Sequence, residues 1–153
     1  MGGHNQQQNN QPVNLDQDKK DKIQNIVESG DAALTVEYAS AIGAAIRDKA
    51  SASATQTQIR ALFARFREVQ RIWSGRSPEE GYREAVLLHP LVRYFDEKNK
   101  LGVFGQVLLH SLVVVRGNDT KPDLKQAQKR FDHCVDFVEA IVSYAYQAQP
   151  HRS

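Results

Sequence analysis

The chain has 153 residues, of which 41% are hydrophobic and 25% charged, with a formal net charge of +2. Those totals describe a globular domain large enough to bury a core without metal or disulfide staples, and they exclude a strongly basic, tail-like nucleic-acid binder. Cys134 is the single cysteine, so an intrachain disulfide is excluded and a reducing cytoplasm is the expected compartment.

Residues 1–14 are Asn/Gln-rich and are expected to be a disordered tail, as are residues 149–153; residues 15–148 are expected to form one helical domain. A first helix is predicted from about Asp16 to Glu28 with Ile23, Ile26 and Val27 buried, broken by Ser29-Gly30-Asp31. A second, about 32–49, places Leu34, Tyr38, Ala41, Ile42, Ala45 and Ile46 on one side, its alanines allowing close approach of a neighbour.

The third helix is the most informative. From Thr55, a candidate cap with Gln58 three residues on, Ile59, Leu62, Phe63, Phe66, Val69 and Trp73 form one apolar stripe. Arg60, Arg67 and Arg71 fall within roughly 40° of one another on another face, with Ala64 between them. Arg65 and Arg76 add positive charge, and Glu68 is the segment's one acid. Planar guanidinium forks in a row suit a run of phosphates; the alternative is an ordinary solvated helix face.

Ser77-Pro78-Glu79-Glu80 starts a fourth helix over about 78–98, which Pro90 is expected to kink or divide. Arg93, Lys98 and Lys100 make a second basic group, and Arg47 and Lys49 a third. Leu101 to Val115 is apolar but interrupted by Gln106 and His110, and too short for a membrane span, so a buried helix is predicted. Pro122 is expected to start the last helix, with Leu124, Ala127, Phe131, Cys134, Val138, Ile141 and Ala145 at core spacing and Phe137 and Tyr144 as a second apolar edge. The fold class is therefore all-α, a compact bundle of five to six helices.

No phosphate-binding Gly-rich loop, nucleophile–base pair or metal-spaced His/Cys set occurs, so neither an enzyme nor a cofactor or metal site is expected. The adjacent His133 and Cys134 point about 100° apart on a helix and make a poor ligand pair.

Thr55-Gln-Thr-Gln-Ile-Arg60 ahead of an amphipathic helix resembles the T-x-x-Q-I-R signature of the small subunit of type III-A CRISPR interference complexes. Ser29 to Gly43 resembles that family's N-terminal helix pair, Leu88 to Tyr94 its L-x-P-K-L-A-Y stretch, and Phe137 to Tyr146 its closing E-A-I-V-A-Y. The sequence departs from it at Arg93, where the pattern is small and apolar, and at Lys98, where it has arginine. The resemblance implies a non-catalytic, all-helical subunit present in several copies. Such a subunit lies beside guide RNA and target RNA, packed against copies of itself and the backbone and large subunits, with no membrane partner. Its contacts would go to the RNA backbone, since base pairing reads the sequence. Arg60 lies in the matching signature; Arg67, Arg71, Arg65, Lys98, Lys100 and Arg93 are the further candidate RNA contacts. A helical protein–protein adaptor, its arginines meeting an acidic partner, is the other reading.

Overall fold

The structure is a computed structural model that describes residues 15–49 and 53–146, so the two expected disordered ends lie outside or at the limits of the described residues. Among the described residues there are six helices and no strand. They are α1 (Gln17–Ser29), α2 (Ala32–Lys49), α3 (Ser53–Gly75), α4 (Pro78–Asn99), α5 (Val103–Arg116) and α6 (Leu124–Tyr146).

The boundaries follow from local chemistry. Asp16 caps α1 by accepting from the Lys19 amide, and Gly30 closes it with φ +69°, a conformation that costs a residue without Cβ little. Asp31 then caps α2 by accepting from the Leu34 amide at 3.1 Å. Ser77 accepts from the Glu80 amide at 3.2 Å with Pro78 in the first turn, the predicted start of α4.

Several expectations are corrected. α3 begins at Ser53, so Thr55 lies inside the helix rather than at its cap; its side chain is outside the described residues. α4 runs unbroken through Pro90, so the proline does not divide it. That proline is exposed, so water can serve the carbonyl its missing N–H leaves free. α6 starts two residues after Pro122, where the Asp123 carboxylate accepts from the Lys125 and Gln126 amides. On α2 the buried edge is Tyr38, Ala39, Ile42, Gly43 and Ile46, whereas Ala41 and Ala45 face solvent.

The core is one cluster, and its axis is α6 rather than α3. α6 packs against all five other helices and buries Ala127, Phe131, Cys134, Val135, Phe137, Val138, Ile141, Val142 and Ala145. The predicted α3 stripe is buried except for Phe63, which is half-buried. Phe131 of α6 stacks on Phe66 and Trp73 of α3 at 6.1 and 5.8 Å between centroids, and Tyr38 of α2 stacks on Phe137 at 5.9 Å. Rings of this size dominate core energetics. Trp73 and Phe104 are therefore core residues.

Candidate nucleic-acid interface

The partners of α3 and α6 fix how the arginine face is presented. Arg60 sits over the Tyr146 ring at 5.5 Å, Arg67 faces Glu139 at 3.8 Å, and Gln70 donates to Asp132 at 3.0 Å. Rising numbers on α3 thus meet falling numbers on α6, so the two helices run antiparallel with the arginines along one side of their seam.

Arg67 and Arg71 point outward, with 55% and 75% of their side chains exposed. Together with Ala64, Glu68, Gln70 and Ser74 they line a shallow, open depression along α3. Small Ala64 leaves the backbone accessible between guanidiniums. Arg60 is exposed but held by its cation–π contact with Tyr146.

The rail is less free of acids than the sequence suggests. Glu68 pairs with Arg65 at 3.1 Å and approaches Arg71 at 3.7 Å. From α6, Asp132, Asp136 and Glu139 recur at helical spacing beside the arginines. Burial, then the charges of Glu139 and Asp132, push the Asp136 carboxyl above its ordinary range, while His133 and Arg67 oppose that shift. Exposed ion pairs at these distances are worth about 0–1 kcal/mol each, so they hold the guanidiniums in place only weakly.

The other cations separate by role. Arg65 is half-buried and committed to Glu68, and Arg76 pairs with Glu80 at 2.9 Å across the α3–α4 corner. Arg47 donates to the Tyr144 carbonyl, which ties α2 to the end of α6. Lys49's side chain is outside the described residues. Lys98 lies over the Tyr94 ring at 5.6 Å, and Lys100 closes α4 in the left-handed region at φ 54°. Arg93 is exposed on α4, where its charge acts on His89. Arg93, Lys98 and Lys100 are thus features of α4 and its exit, a separate group from the α3 rail.

Among the described residues no set of His, Cys, Asp and Glu could hold a metal ion. Cys134 is fully buried, which pushes its thiol up to about 12, and His133 Nδ1 lies 2.8 Å from the Val27 carbonyl, joining α6 to α1. The sequence reading missed the acids of α6, whose proximity depends on packing. It also missed an α5 face marked by Gln106 and His110, the polar breaks in an otherwise apolar run.

Fold and site define an all-helical bundle that presents an arginine-bearing helix edge. The family described as Csm2 Type III-A matches residues 29–150, most of the chain, and the chain belongs to that family, the small subunit of the type III-A CRISPR complex. No curated protein and no solved structure matches it. Among the described residues no helix is long and apolar enough to cross a membrane.

Proposed function

We propose that this small subunit is a non-catalytic RNA-binding element, contacting guide RNA and target RNA through their backbones without regard to sequence. It works in the cytoplasm, in several copies packed against one another and against the backbone and large subunits. The observation that supports this reading is the exposed edge of α3, where Arg60, Arg67 and Arg71 recur over about 16 Å. Guanidiniums there offer forked donors to phosphate oxygens with no pocket that would select a base. Arg93, Lys98 and Lys100, on α4 and its exit, are a second and separate candidate group for RNA contact.

The test is the salt dependence of single-stranded RNA binding. Each phosphate contact contributes about 0.7 to the slope of log K against log salt. Replacing Arg60, Arg67 and Arg71 together by Ala should flatten the slope by about two units and leave the helical circular dichroism intact. Unchanged affinity and slope would leave the helical adaptor as the better reading.

A further inference from the structure

The side of the bundle away from α3 carries a second surface of different chemistry. α5 makes no contact with α3, and packs on α1, α4 and α6. Two hollows beside it share His89 and Val113 and so form one groove. Its floor on α5 is a single helical stripe, Gln106, Leu109, His110, Val113 and Arg116, about 15 Å long. Lys20 of α1 stands beside His110, about midway along the stripe, Arg116 ends it, and Pro90 of α4 forms the wall.

Two properties set this groove apart. Among the described residues no carboxylate lines it; Asp119 lines the adjoining hollow that shares Val113 and Arg116. The charges acting on His89 are those of Arg93 and Arg116, and on His110 that of Lys20, all positive, and burial holds both imidazoles toward the neutral form. The groove is also apolar where it should be wet. Val113 is 47% exposed in the last turn of the most apolar helix.

We infer that the α4–α5 groove docks a three-turn amphipathic helix of another protein subunit, with apolar anchors over Val113 and carboxylates reaching Lys20 and Arg116. The groove's length matches three turns, a common length for helix-in-groove recognition. Lys20, beside His110, and Arg116 flank Val113 along the stripe. That spacing, about 9 Å from His110 to Arg116, complements acids one to two turns apart on a peptide helix with an apolar residue between them. The inference rests on membership of the type III-A complex, which supplies the other subunits, and is independent of RNA binding by α3.

The experiment places a photo-cross-linking amino acid at Val113 in the assembled complex and maps the product by mass spectrometry. The expected product is a peptide of a different subunit, with apolar residues at i, i+3 or i+4 and i+7 flanked by Asp or Glu. Cross-links to RNA, to a second copy of this chain, or to nothing would overturn the inference. In parallel, Val113→Ser with Arg116→Glu should weaken incorporation into the complex by about tenfold, the scale of losing one interface anchor, without changing the RNA salt slope. Arg60, Arg67 and Arg71 changed to Ala should show the reverse pattern, so failure of one reading is distinguishable from failure of the other. Both groove positions are exposed, and circular dichroism verifies that the variant is folded.

Discussion

Arg67 of α3 faces Glu139 of α6 at 3.8 Å, with both side chains more than half exposed. The pair therefore sits in water's dielectric, where its strength is about 0.2–1 kcal/mol and salt screens it. If RNA binds this edge as proposed, Glu139 acts mainly as a competitor, since a phosphate reaching Arg67 must displace or tolerate it. Its neighbours Asp136 and Asp132 extend the same negative border along α6.

That arrangement makes a prediction opposite in sign to removing the arginines. Glu139→Gln should tighten single-stranded RNA binding by about two- to fivefold at low salt, the fold-change equivalent of one weak exposed pair. Melting temperature should barely move. Fluorescence anisotropy titrations at two salt concentrations would measure it, and weaker binding by the Gln variant would mean that Glu139 positions Arg67 productively.

Packing of α2 on α6 gives a second expectation. A Cβ added at Gly43 would lie 2.6 Å from the Tyr144 Cβ and about as close to backbone atoms of Ala145 and Ile141, at 3.0 and 3.1 Å. Gly→Ala inside a helix ordinarily gains about 1 kcal/mol, but here the backbone of α6 would have to move. Gly43→Ala should therefore destabilise by about 1–3 kcal/mol. At Gly75 nothing lies within 4 Å, so Gly75→Ala is the matched control and should leave thermal stability unchanged or slightly raised.

The pH dependence of stability follows from His89 and His110. Burial first, then the neighbouring cations, hold both imidazoles below their ordinary value of 6.5. The unfolded chain then binds more protons than the folded one as pH falls through about 6.5, so stability drops on acidification and is unaffected well above that value. Melting temperature should fall between pH 7.5 and 5.5, and His89→Gln with His110→Gln should flatten that fall. Comparing variant with parent isolates this contribution from Asp136, whose raised pKa acts in the opposite direction.

Much of the bundle was legible in the sequence because its signals are local. The caps at Asp31 and Ser77, the stop at Gly30 and the stripe from Ile59 to Trp73 depend on residues within a few positions of one another. α2 misled for a physical reason: with Ala at so many positions its periodicity hardly distinguishes faces. What decides is that Gly43, a blank in any hydrophobic count, is where α6 comes closest. The arginine edge was legible as a pattern on α3, while the acids beside it were not. Glu139 and Asp132 lie far along the chain and reach α3 only through the antiparallel seam. α5 lies between these cases, since Gln106 and His110 mark its wetter side in sequence, but the cations that complete the groove come from other helices.

Trp73, the chain's one tryptophan, stands where three helices converge. It stacks on Phe131 of α6, meets Tyr82 of α4 edge-on at 6.3 Å and fills the space left by the missing side chain of Gly81. Its ring nitrogen is buried without a hydrogen-bond partner among the described residues. The protein thus carries an intrinsic optical gauge at the α3–α4 elbow, two residues past the last guanidinium of the rail. Any ligand that shifts α3 against its neighbours will register in the indole's emission, with no dye attached and no surface altered.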